Sequence, residues 1–136
     1  MLSPTADTIR LFLHVLAASV WVGGQIVLAG LVPSLRRAHP DAVKVAANAY
    51  ARVAWPAFAL VVLTGLWNLT DIDVTNTTTT YQITLFVKIS LAMASGAAAA
   101  IHQIGRSRAA LAVGGAVGLL AALGAMFCGY LLTTGS

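Results

Sequence analysis

At 136 residues, with 59% apolar and 9% charged residues, the chain is one domain long and has too few charges for a water-facing surface, since soluble domains carry roughly a quarter charged. A mean hydropathy of +0.86 and a single cysteine, Cys128, exclude a soluble globule, a disordered chain and a secreted disulfide scaffold. The net charge of +4 does not indicate nucleic acid, because the basic residues edge apolar runs and form no basic face.

The first predicted element follows from the 25 uncharged residues between Arg10 and Arg36, enough to cross a hydrocarbon core of about 30 Å. It runs well past the length of a signal peptide and is expected to be a retained helix, at about 9–33. The second helix is expected at about 42–70. Its uncharged part runs from Val53 to Thr70, and Pro40-Asp41 offers a good start for a polar extension. Pro56 falls inside it and frees the Arg52 carbonyl, which predicts a kink.

Asp71 to Thr80, rich in Thr, Asn and Asp, reads as an exposed loop. A third span at about 81–105 is interrupted only by Lys88, and a turn over Gly105-Arg106-Ser107-Arg108 leads to a fourth at about 109–133. Four spans with short links predict an all-α, integral membrane four-helix antiparallel bundle, residues 1–136 forming a single transmembrane domain. Gly114 and Gly118, with the run from Ser95 to Ala100, predict close packing of helices three and four. The same small residues could instead serve a dimer face or leave room for a flat cofactor.

Six of the eight basic residues, Arg36, Arg37, Lys44, Arg52, Arg106 and Arg108, fall on one side of these spans. Arg10, Asp7, Asp71 and Asp73 fall on the other. The positive-inside rule then puts both termini and the acidic loop on the outer side.

Titratable side chains inside a bilayer cost about 2.5–3.5 kcal/mol each on insertion scales, so each needs a reason. His14 and Lys88 both fall about 8–9 Å below the outer end of their helices, which suggests a shared polar pocket. Snorkelling of Lys88 and a single interhelical hydrogen bond for His14 are the alternatives. By helical phase His14 aligns with Trp21, with Gln25 close by; Lys88 aligns with Ser95 and His102; Thr64 and Asn68 share a face. Met126 and Cys128 reach the depth of His14 but point roughly 200° apart, so only one can face such a pocket. His102 is expected near the inner surface, beside Arg106, and His39 in a solvated loop.

The sequence holds no HExxH, CxxC, paired carboxylates or Gly-rich nucleotide loop. A buried imidazole with a sulfur at its level suits haem iron or copper, and a buried lysine suits an anionic group such as a haem propionate or porphyrin carboxylate.

The stretch LHVLAASVWVGGQIVLAGLVPSLRR (Leu13 to Arg37), with His14, Trp21, the Gly23-Gly24 pair and a closure at Pro33 and Arg36-Arg37, resembles the first helix of the copper resistance protein D (CopD) domain family. VVLTGLWNL (Val61 to Leu69) and YQITLFVKISLAMA (Tyr81 to Ala94) resemble it too, so that about two-thirds of the chain is covered. More distantly, the HemJ-type protoporphyrinogen oxidases are similar. They are small four-helix membrane proteins associated with haem b, with a functional His in the first helix and Lys in the third, where His14 and Lys88 stand here. YARVAWPA (Tyr50 to Ala57) is similar to the approach to their second helix. A lone His102 replaces the histidine pair late in their third helix, and the fourth helix here begins with an Ala- and Gly-rich run.

The CopD resemblance implies a multi-pass inner (plasma) membrane protein handling copper or haem b near its outer face, in copper homeostasis or membrane electron transfer. On that reading His14 is the ligand, Lys88 the anion partner, Met126 the better-placed sulfur, and Trp21, Gln25 and Asn68 shape the pocket. The expected partners are the lipid bilayer and a second copy or another membrane subunit, with no nucleic acid. The alternatives are a HemJ-like oxidase using haem b and a cofactor-free structural subunit of a membrane complex.

Overall fold

The computed structural model describes residues 1–135. The chain is all-α, with four long helices: α1, Ala6–Ala38; α2, Pro40–Thr70; α3, Thr79–Ile104; and α4, Arg108–Thr134. All four are long and apolar enough to cross a membrane, as the uncharged runs predict. The chain divides into two compact units. Met1–Ile72 is the hairpin of α1 and α2, and the hairpin of α3 and α4 follows from Asp73.

Local signals explain the helix ends. Thr5 caps α1: its hydroxyl accepts from the Thr8 amide at 3.2 Å, and the Thr8 hydroxyl accepts from the Thr5 amide at 3.2 Å. These reciprocal bonds satisfy two orphan N–H groups, and Asp7 adds negative charge at the positive helix end. Helix α1 therefore starts earlier than the apolar run predicts. It also continues through Pro33 to Ala38, where the sequence suggests closure at Pro33. One proline deletes a single hydrogen bond of the ladder, and a helix in lipid keeps the rest because they have no other partner.

A single residue, His39, separates α1 from α2, accepting from the Ala42 amide at 2.9 Å while its own amide reaches the Leu35 carbonyl at 2.7 Å. Helix α2 starts at Pro40 with Asp41 in its first turn, as the Pro-Asp signal predicts. It runs through Pro56 as one helix. The acidic loop contains a short 3₁₀ turn, Val74–Asn76, tied by Thr75 to Asp73 at 2.6 Å. Thr78 and Ser107 then cap α3 and α4 by accepting from Tyr81 and Ala110 amides.

Within each hairpin the helices meet on small residues. Ala17 and Ala54 are buried in the first, and Ser95, Ala98, Gly114, Gly118, Ala121 and Ala122 in the second. Most large apolar side chains point away, with Phe86 72% and Phe127 64% exposed, whereas Trp21 and Val22 of α1 are buried. This inversion of the soluble pattern fits helices whose solvent is lipid, where close backbone approach replaces hydrophobic burial as the packing force.

Candidate functional site

Polar side chains of the first hairpin form a ladder along its α1–α2 seam. At the top, Arg10 is buried with 9% of its surface exposed. It pairs with Asp7 at 3.3 Å on its own helix and with Asp71 at the end of α2. The guanidinium lies 5.9 Å from the Trp67 ring centroid, within the range of a cation–π contact. Two carboxylates around one guanidinium leave this rung with a formal charge of −1, so its electrostatics do not favour an added anion.

One turn deeper on α1 stands His14, half-buried, with Nδ1 2.8 Å from the Thr64 hydroxyl of α2. Thr64 is 3% exposed, and its hydroxyl donates to the Leu60 carbonyl at 2.6 Å. Gly65 lies alongside, and a methyl group there would sit 3.7 Å from His14 Cε1. Asn68, one turn outward from Thr64, has a buried Oδ1 with no partner among the described residues, and Arg10 Nε is likewise without an acceptor. An orphan acceptor and an orphan donor thus lie next to the imidazole in sequence phase. Groups of this kind in a native fold ask for a water or a ligand.

Two turns below His14 the seam becomes aromatic. Trp21 stacks at 4.5 Å on Phe58 and at 5.4 Å, edge-on, on Trp55. The Trp21 carbonyl accepts from Tyr50 Oη at 2.8 Å and from Gln25 Nε2 at 2.9 Å. Gln25, expected to shape the pocket, spends its amide nitrogen on its own helix. Tyr50 reaches this carbonyl by lying across Gly24, where an added Cβ would fall 2.6 Å from Tyr50 Cζ.

In the second hairpin Lys88 is half-buried against α4. Its Nζ lies beside Gly129 of α4, where an added Cβ would make an ordinary contact at 3.5 Å. Deeper along the same stripe, Ser95 donates to the Gly118 carbonyl at 2.8 Å. His102 follows, exposed, with Nδ1 bonded to the Leu111 carbonyl. The alignment of Lys88, Ser95 and His102 predicted from helical phase is therefore one packed face of α3. Of the two sulfurs, Cys128 is buried and Met126 half-buried.

The residues expected at the site thus divide between the hairpins: His14, Trp21, Gln25 and Asn68 on the first, Lys88 and Met126 on the second. Among the described residues no three His, Cys, Asp or Glu side chains gather into a metal-binding group. Thr64 and Arg10 are the site residues that sequence reasoning undervalued. The signal was there: Arg10 is four residues before His14, and Thr64 four before Asn68, the spacing of one helix face. Compared with protein-family models, with curated proteins and with solved structures, the chain matches none of them.

Proposed function

We propose that this chain is a CopD-like membrane protein that holds haem b through His14, close to the outer face of an inner (plasma) membrane, and serves electron transfer. The observation that carries the reading is the pair of buried polar atoms with no partner among the described residues, Asn68 Oδ1 and Arg10 Nε, on the seam where His14 is bonded to Thr64. The bond to Thr64 alone would equally be the interhelical hydrogen bond named as the alternative. An ionisable group there is expensive in lipid and is by default functional. Haem iron brings four nitrogen ligands of its own, so one axial imidazole suffices. Copper draws all its donors from protein, and the first hairpin supplies one. That donor set favours haem over copper at His14. When bound, haem would supply the one-electron chemistry; His14 would hold it, and Trp21, Phe58, Asn68 and Arg10 would be the residues of the same seam available to line it.

Orientation with both termini outside follows from the charge distribution. Arg10 does not weaken it, since Asp7 and Asp71 neutralise that charge.

The test is the absorption spectrum of detergent-purified protein, oxidised and dithionite-reduced, with metal analysis on the same sample. The expected result is a Soret band with sharp reduced α and β bands. His14→Ala should lose them while the protein remains inserted, and unchanged haem content in that variant overturns the assignment. Stoichiometric copper in a colourless protein would transfer the function to copper handling. Reduction of the haem by a porphyrinogen, with turnover, would make the protein an oxidase.

A further inference from the structure

We infer that Thr64 is the positioning residue that selects which nitrogen His14 offers to a ligand. Its role toward a cofactor rests on the haem reading above, whereas its role toward the ring does not. The Thr64 oxygen lies 2.6 Å from the Leu60 carbonyl and 3.2 Å from that of Val61. A carbonyl only accepts, and two oxygens 2.6 Å apart repel unless a proton lies between them. The single hydroxyl proton is therefore committed to the backbone of α2, in the back-bonded arrangement helical threonines adopt.

The lone pairs of the same oxygen are what His14 Nδ1 meets at 2.8 Å. Nδ1 must then carry a proton, and in the neutral ring the lone pair belongs to Nε2. The helix backbone thus sets the polarity of the whole relay: Nδ1–H to hydroxyl, hydroxyl to carbonyl. Gly65 lies beside Cε1, where an added Cβ would make only an ordinary contact at 3.7 Å, so the Thr64 bond is the directional contact between the ring and this stretch of α2. The acceptor is a neutral hydroxyl rather than a carboxylate, so the relay orients the ring without pushing it toward an imidazolate.

The experiment is nitrogen-15 NMR of ring-labelled histidine in the full-length protein in nanodiscs, with His39 and His102 signals assigned through His39→Gln and His102→Gln. His14 should appear as one fixed tautomer, protonated at Nδ1. Thr64→Ser should retain it. Thr64→Val should shift the tautomer balance away from Nδ1–H and weaken haem binding by about 10–100-fold, the usual effect of losing such a partner. Thr64→Ala serves as a second variant if the valine protein does not insert.

A wild-type ring protonated at Nε2, or a His14 signal indifferent to Thr64→Val and Thr64→Ala, overturns the inference. The tautomer measurement needs no haem. A Thr64-dependent tautomer in a protein that binds none would remove the proposed function and leave the positioning role intact. Haem loss in His14→Ala with unmoved spectra in Thr64→Val would do the reverse.

Discussion

Gly23 and Gly24 are neighbours in sequence and opposites in what they do. A Cβ on Gly23 meets nothing within 4 Å, while on Gly24 it falls 2.8 Å from Tyr50 Oη and closer still to the ring. The tyrosine cannot yield cheaply, because its hydroxyl is bonded to the Trp21 carbonyl. Gly24→Ala should therefore cost about 1–3 kcal/mol, the range for overpacking. Gly23→Ala should be neutral or gain up to about 1 kcal/mol from helix propensity. Reversible unfolding in mixed micelles measures both, and pairing Gly24→Ala with Tyr50→Ala should recover most of the loss. Equal effects at the two glycines would show that Tyr50 does not set the spacing. The Gly-Gly pair was legible in the sequence, but which member is indispensable depends on a side chain 26 residues away, and no local pattern encodes that.

The helices of the second hairpin lock through a seam whose tolerance varies along its length. At Gly114 a Cβ would lie 3.1 Å from the Ala98 carbonyl and from the His102 amide, both backbone. At Gly118 the nearest atom is the Ala98 methyl at 3.5 Å, an ordinary contact. Gly114→Ala is thus expected to destabilise by about 1–3 kcal/mol through forced backbone displacement, with Gly118→Ala close to neutral. Ser95→Ala, which removes the bond to the Gly118 carbonyl, should cost about 0.6 kcal/mol, typical of an interhelical bond in lipid. The same unfolding assay ranks the three, and a Gly118 variant worse than the Gly114 variant would contradict the seam described.

Helix existence was legible from uncharged runs, and the α3 face from its seven-residue spacing. The ends of α1 were not. Thr5 and Thr8 carry no hydropathy signal, and a proline usually read as a stop is carried through where lipid offers the backbone no alternative partner. Of the candidate site, His14 was legible as a polar residue in an apolar run, whereas the Thr64 relay depends on how α1 and α2 face each other.

For the molecule as a whole, the proposed topology yields a direct measurement. With Cys128 replaced by alanine, single cysteines introduced at Ser3 and Ser107 should behave oppositely toward a membrane-impermeant maleimide. Ser3→Cys should label in intact cells and Ser107→Cys only after permeabilisation. The opposite pattern would invert the orientation drawn from the basic residues. At about 1.5 Å per residue, the 33 residues of α1 and 31 of α2 exceed the hydrocarbon core of about 30 Å. On the proposed topology the excess length, with its basic residues, extends beyond the core on the inner side.

The junction at His39 also bears on digestion. Trypsin needs several residues of extended backbone around its target. Arg36 and Arg37 close α1, while Lys44 and Arg52 sit inside α2, and the link between these helices is one residue. Arg106, by contrast, lies in the non-helical link between α3 and α4. The basic hairpin, although richest in cleavage sites, should resist the protease, and the first cut from that side should fall at Arg106, releasing the chain as two fragments of about 106 and 30 residues.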